Sequence, residues 1–369
     1  MTAGSLFAKC VLLPCSKIYG AVTYVRNRLF DFHILPQYGF DVPVIVVGNL
    51  AVGGTGKTPH TEYLVEALRL NYNIAVVSRG YKRATKGFVL ATPYSKPSDI
   101  GDESYQIYRK FDGRVTVAVG EDRVKAIREV LRLVPDVNLV ILDDAFQHRY
   151  VNPTVSILVT ECNHPVFRDK LLPYGRLRES IRGVDRADMV VVSKCPETMK
   201  DIDYRVFMRD LKLFPYQQLF FSRYAYQAFM PLFPDQVTSV PCIEWMTSAD
   251  SILAVAGIGN PRPFIRYLKS FLPRVRVNIF VDHHNYSRRD MELLLERFRT
   301  MKGANKVMIT TEKDAVRMAA NPYFPPELRA HTFYLPVKVE FTGYGPVPFT
   351  DAVKRLLKAS EPQKKSAQP

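Results

Sequence analysis

Residues 53–59, Gly53-Gly54-Thr55-Gly56-Lys57-Thr58-Pro59, put three glycines, a lysine and a threonine hydroxyl into one short segment. Glycines let successive backbone N–H groups converge on phosphate oxygens, lysine neutralises β/γ charge, and a threonine hydroxyl can ligate Mg²⁺. Gly53, Gly54, Thr55, Gly56, Lys57 and Thr58 therefore predict a triphosphate cradle, although Ala51 stands where the general string has glycine. The second group is Asp143-Asp144 at the end of an apolar run. A carboxylate there, beside a phosphate loop, can hold Mg²⁺ directly or through water, and the spacing does not choose between the two. Asp102, with Asp99 nearby, and Asp282-His283-His284 suit proton transfer; Arg176, Arg178 and Glu179 suit a phosphate clamp. Each also has an ordinary structural reading: a strand-end turn, a helix N-cap, packed imidazoles, or salt bridges.

Positioning these groups requires an α/β scaffold. Val44-Ile45-Val46-Val47 reads as a buried strand before the loop, and a helix carrying Tyr63, Leu64, Ala67 and Leu68 follows, with Pro59 in its first turn. Further strands are expected at 74–78, 115–119, 138–142, 155–160 and 189–193, with a helix over 122–134. Such alternation predicts a parallel sheet with ligands at the carboxyl ends of its strands. Aromatic residues over 214–233 mark the exit from this unit. A second α/β unit opens at Leu253, with strands at 277–281 and 306–310 and a helix through Met301 started by a Ser287/Asp290 capping box.

The chain has 369 residues, 47% hydrophobic, enough for two domains. A net charge of +15 predicts attraction to phosphates or anionic lipid, while nucleic-acid binding is disfavoured because no zinc finger spacing, RNP-like string or long basic helix occurs. The five cysteines are odd in number and scattered, which argues against disulfides and structural zinc and suits a reducing cytosol. Near the N-terminus Phe7, Val11, Pro14, Ile18, Val22, Val25 and Leu29 recur at spacings of three and four, opposite Lys9, Ser16, Gly20, Thr23 and Asn27. That stripe either lies in a membrane interface or packs on its own domain; Pro14 is expected to interrupt it. No run is long enough to span a bilayer.

Val47-Gly48-Asn49 with the glycine loop, Ser78-Arg79-Gly80-Tyr81, Gly101-Asp102-Glu103, Asp143-Asp144-Ala145-Phe146-Gln147-His148, Arg178-Glu179, Asp282-His283-His284 and Thr311-Glu312-Lys313-Asp314-Ala315-Val316 occur in this order. Over roughly residues 44–340 the chain resembles the tetraacyldisaccharide 4′-kinase family, the lipid A 4′-kinases, with Ala145 where glycine is usual. The resemblance implies transfer of the ATP γ-phosphoryl group, with Mg²⁺, to the 4′-hydroxyl of a tetraacyldisaccharide 1-phosphate. It places the enzyme, peripheral or monotopic, on the anionic cytoplasmic face of a bacterial inner membrane.

The implied fold is a P-loop NTPase-like α/β/α domain and a smaller C-terminal α/β/α domain joined by a short β linker, with an N-terminal amphipathic helix. The expected divisions are a membrane-interface helix at 1–38, the kinase domain at 39–218, linker and C-terminal domain at 219–360, and a flexible tail at 361–369. The linker strands are sought near Phe220 and in Phe333 to Phe341. The family pattern makes Asp102 the activator of the acceptor hydroxyl, His283 its partner and Asp282 the group orienting the imidazole. It favours Arg178 and Glu179 over Arg176 for the clamp, and assigns Thr58, Asp143 and Asp144 to the metal. The role of Glu312-Lys313-Asp314 stays open, with ion pairing between the domains one reading. A rival is a membrane-associated P-loop NTPase switch without a lipid acceptor, but its signature lysine before the paired glycines is here Val52. A GTPase is opposed by Ser193-Lys194-Cys195-Pro196, which lacks the guanine-binding aspartate.

Overall fold

Runs of β-branched residues become the central strands of two sheets in the computed structural model, which describes residues 8–237, 250–271, 274–343 and 347–360. Phe7 of the N-terminal stripe, Cys242 and the expected tail at 361–369 lie outside the described residues. The first described elements are a π-helical turn, Ala8–Leu12, and helix α1 (Leu13–Asp31). Pro14 sits in the first turn of α1, at the point where the π-helical turn gives way to regular α-helix.

The first unit comprises β1 (Val44–Gly48), α2 (Lys57–Leu68), β2 (Ile74–Ser78), β3 (Val89–Leu90), α3 (Asp102–Lys110), β4 (Thr116–Val119), α4 (Arg123–Leu133), β5 (Leu139–Asp143), β6 (Val155–Glu161) and β7 (Met189–Ser193). Its sheet also takes in β8 (Gln218–Tyr226) and β14 (Val337–Phe341), in the order β14-β8-β7-β6-β1-β5-β2-β4-β3. All neighbours are parallel except β14 with β8 and β3 with β4. Both faces are covered, which explains why β1, β5, β6 and β7 read as continuous apolar runs buried at every residue. Val46, Val77 and Leu142 face a core with Ile127 and Val130 of α4, while Ile45, Val76 and Ile141 face Leu64 and Leu68 of α2.

The second sheet has the order β11-β10-β12-β13-β9, built from β9 (Met230–Pro231), β10 (Ser251–Ala256), β11 (Val275–Ile279), β12 (Lys306–Thr311) and β13 (Thr332–Leu335). Helix α5 (Arg262–Phe271) follows β10, and α6 (Arg288–Arg299) begins with the expected Ser287/Asp290 capping box. Helix α7 (Glu312–Ala319) is capped by the Thr311 hydroxyl, which accepts from the Asp314 N–H.

The late run Phe333 to Phe341 divides at Pro336, which has no N–H to continue a ladder. Its first half, β13, joins the second sheet; its second half, β14, pairs with β8 in the first. The last helix, α8 (Phe349–Ser360), which the sequence assigned to the second unit, buries Phe349, Ala352, Val353 and Leu357 against the first sheet. Chain order hides this return, because the apolar face of a helix does not name its partner.

Candidate active site

Beyond Gly48 the chain turns through Gly53 and Gly56, whose φ values of 108° and 97° suit glycine, into α2. A side chain at Gly56 would strike the Tyr224 hydroxyl of β8, so the cradle is formed against the linker strand. The loop is held from beneath: Asn49 donates to the Thr55 hydroxyl at 2.7 Å, Ser193 Oγ donates to the Thr55 carbonyl at 2.6 Å, and Lys194 Nζ donates to the Gly54 carbonyl. Ser193 and Lys194 were visible in the sequence only as the wrong guanine motif; their place at the end of β7, one strand removed from β1 across β6, makes them loop supports.

Asp143 ends β5, the parallel neighbour of β1, and so meets the first turn of α2. It accepts from Thr58 Oγ1 at 3.3 Å and Thr61 Oγ1 at 3.0 Å. Burial, with Glu103 and Asp144 nearby, pushes its carboxyl up to about 7. Asp144 is in the left-handed region at φ 51°, and its side chain lies 3.6 Å from Lys57 Nζ. Arg178 donates to both Asp144 oxygens, at 2.9 and 3.3 Å. Burial opposes ionisation of Asp144, yet Lys57 and Arg178 outweigh it and hold the group below its usual range. Thr58 and Asp143 supply hard oxygen donors in an acidic cluster that a divalent cation would relieve. Among the described residues no three His, Cys, Asp or Glu side chains form a metal cage.

Glu179, buried, is saturated by Asn27 at 2.7 Å, Gln147 at 3.0 Å and Arg186 at 2.9 Å. It ties α1 to the site. The two rivals raised by sequence are occupied elsewhere: Arg176 pairs with Asp169 at 2.8 Å, and Asp99 accepts from the Lys96 N–H at 2.8 Å in a short helix cap.

Asp102 stands in the first turn of α3 and His283 follows β11 of the other sheet at φ 58°, a conformation uncommon for side chains with a Cβ. The carboxylate and Nδ1 are 3.7 Å apart, and Arg317 lies between them, donating from Nε to Asp102 at 2.7 Å and from Nη2 to His283 Nδ1 at 3.0 Å. The orienting hydrogen bond expected from Asp282 is absent, since its nearest oxygen is 4.0 Å from Nε2. It projects from an exposed loop, while Arg317 is fixed within the second unit. His284 turns away to Asp290 at 3.0 Å.

Asp102, Asp143, Asp144, Arg178, Glu179 and His283 line one cleft of about 580 Å³. Tyr19, Thr23, Arg26 and Asn27 of α1 form one wall, Asp102, Glu103, Asp143 and Asp144 another, and His283 comes from the second unit. Arg79, Arg123 and His148 add a basic sector. Arg123 Nε and His148 Nε2 are buried without a partner among the described residues, and burial with the Arg123 charge lowers the imidazole to about 4. Arg123 and His148 gave no signal by spacing; the cationic character of the strings at 79 and 148 was the available hint.

Comparison with known proteins agrees with the geometry. A family profile described as LpxK, tetraacyldisaccharide-1-P 4′-kinase, matches residues 8–358. A tetraacyldisaccharide 4′-kinase of Bacteroides thetaiotaomicron is 48% identical over 336 residues, covering 89% of this chain and 88% of its own. That of Flavobacterium johnsoniae is 39% identical over 334 residues, covering 90% and 93%. The crystal structure of LpxK from Aquifex aeolicus in complex with ATP superposes with a TM-score of 0.72 at 26% identity, over 94% of this chain and 97% of that one. A phosphate loop flanked by an acidic pair whose cleft reaches a carboxylate and an imidazole from opposite units, together with a match along nearly the whole chain, places this protein in the tetraacyldisaccharide-1-phosphate 4′-kinase family.

Proposed function

We propose that this protein is the ATP-dependent kinase that phosphorylates the 4′-hydroxyl of a tetraacyldisaccharide 1-phosphate in lipid A biosynthesis. One observation carries the reading: a single cleft is lined by the acidic pair beside the phosphate loop, by Asp102 and His283, and by the polar side of α1. Phosphoryl transfer needs positioning and charge neutralisation more than covalent chemistry. The backbone of Gly53 to Gly56 and Lys57 would grip the triphosphate. Thr58 and Asp143 would hold Mg²⁺, with Asp144 beside them, and the ion supplies charge neutralisation at the β/γ-phosphates. Asp102 would accept the proton of the acceptor hydroxyl, with His283 beside it. Arg178 holds Asp144, and Glu179 anchors α1. The sector of Arg79, Arg123 and His148 suits the substrate's 1-phosphate, because its guanidinium groups supply charged donors at the cleft.

The membrane reading of the N-terminal stripe gains support from an inverted helix. Ser16 of α1 is buried and donates to the Leu171 carbonyl at 2.8 Å, while Tyr19 donates to the Arg178 carbonyl at 2.7 Å. The polar side therefore faces the protein, and Ile18, Val22 and Val25 are 67, 65 and 56% exposed. An apolar face turned outward beside the substrate cleft suits a monotopic enzyme on the cytoplasmic face of the inner membrane. No helix among the described residues is long and apolar enough to cross a membrane.

The test is transfer of labelled γ-phosphate to an acylated glucosamine disaccharide 1-phosphate in mixed micelles. The wild type is expected to label the 4′-position, and Asp102→Asn to lower kcat about 10²- to 10⁴-fold while keeping nucleotide binding. Nucleotide hydrolysis indifferent to the lipid would instead support the switch reading.

A further inference from the structure

Arg317, on α7, is a residue of the second unit that hydrogen-bonds directly to Asp102 of the first. Its side chain is 6% exposed. Nη1 donates to Asp314 Oδ1 at 3.2 Å, alongside the contacts from Nε to Asp102 Oδ2 at 2.7 Å and from Nη2 to His283 Nδ1 at 3.0 Å. Asp314 is itself fully buried and fixed by the Thr311 hydroxyl at 2.6 Å, the Tyr286 hydroxyl at 3.0 Å and the Gly257 N–H at 2.8 Å. The fork of the guanidinium is thus aimed by the core of the second unit.

We propose that Arg317 is the positioning residue of the transfer site, holding the Asp102 carboxylate in register and dictating which nitrogen of His283 carries the proton. The proposal deepens the kinase reading and rests on it. Arginine has five donors and no acceptor, so its contact with Nδ1 requires a lone pair there, and the ring proton sits on Nε2. In that state Nδ1 is engaged and cannot receive the substrate's proton. Asp102 keeps Oδ1, which takes no hydrogen bond from a described residue, for the acceptor hydroxyl. His283 then offers Nε2–H as a donor to the substrate. The charged and titratable groups facing Asp102 are the Arg317 guanidinium from α7 and the His283 imidazole from the loop after β11, while its neighbour Glu103 is turned to Lys313 at 2.6 Å. Burial works against the ionised carboxylate, while the Arg317 guanidinium in contact with it favours ionisation. Lysine at this position would keep the charge and lose the three-way fork.

The experiment uses the full chain in phospholipid–detergent micelles, with wild type, Arg317→Met and Arg317→Lys. The ¹⁵N histidine spectrum of wild type, with the His283 signal assigned by its loss in His283→Gln, is expected to show unprotonated Nδ1 and protonated Nε2. Arg317→Met is expected to lower kcat about 10²-fold with the KM for ATP within about twofold. The acidic limb of its pH–rate profile should move upward, because Asp102 loses the cation that favours ionisation. Arg317→Lys should restore the limb's position and recover only part of kcat. A protonated Nδ1 in wild type overturns the proposal, as does an Arg317→Met enzyme with either unaltered kcat or lowered kcat and an unaltered pH profile. Should Arg317→Met not fold, the wild-type spectrum and the lysine variant decide the matter. Absence of lipid phosphorylation by wild type would sink the kinase reading alone, since the tautomer is read without turnover.

Discussion

At the scale of single residues, the site works by giving chemically identical groups unlike surroundings. Asp143 and Asp144 are sequence neighbours, yet burial beside other carboxylates raises the first to about 7, while Lys57 and Arg178 lower the second despite burial. His148 shows the same logic for a base. Burial and Arg123 depress its imidazole from 6.5 to about 4, so the unfolded chain binds its proton first as pH falls. Its contribution to stability is complete above pH 6.5 and is lost as pH drops toward 4. Thermal unfolding at pH 7 and pH 5 checks this: the wild type should lose more on acidification than His148→Gln. Equal losses in both proteins would contradict the assignment.

At the scale of elements, α1 is the informative one because its periodicity predicts a stripe and not the side that is buried. Gly20 shows how close the polar side comes to the protein, since a Cβ there would lie 2.7 Å from Leu171 Cδ1. Truncating residues 1–30 would also strip the Ser16, Tyr19 and Asn27 contacts from the cleft, so substitutions outside make a cleaner test. Ile18→Glu with Val22→Glu should leave the thermal midpoint nearly unmoved, within about 0.5 kcal/mol, because both side chains face away from the protein. The same pair should abolish co-sedimentation with anionic vesicles and reduce turnover of lipid acceptor. Vesicle binding equal to wild type would remove α1 as the membrane contact.

At the scale of the whole molecule, α3 and α7 join the two sheets by complementary charge. Glu103 of α3 meets Lys313 of α7 at 2.6 Å, Asp102 meets Arg317, and Lys110 bridges Glu62 at 2.6 Å and Glu312 at 3.2 Å. Two members of the Glu312-Lys313-Asp314 cluster thus cross between units, while Asp314 holds Arg317. Glu62, on the phosphate-loop helix α2, is buried and raised to about 7 by that burial, with Lys110 countering. Lys110→Met would leave Glu62 without its cation. The expected loss is about 2 kcal/mol at pH 8, below the full cost of breaking a buried pair because Lys110 is 30% exposed. At pH 5 the loss should shrink, since Glu62 takes up a proton in the folded state at a pH where the unfolded chain still releases it. Denaturant midpoints at the two pH values read this directly, and an equal loss at both would count against a buried ionised Glu62.

The sequence by itself determined the phosphate loop, the acidic pair, the parallel strand–helix alternation and the family strings, because these depend on residue type over short spans. Glycines near 53–56, β-branched runs and the Ser287/Asp290 cap act locally, so their meaning does not await a partner. Only the tertiary structure decided that Arg317, and not Asp282, holds His283; that Glu179 is an anchor for α1; that the last helix returns to the first sheet; and that α1 presents its apolar side outward. Each of these is a contact between segments far apart in the chain, whose register is set by how two sheets and their covering helices pack.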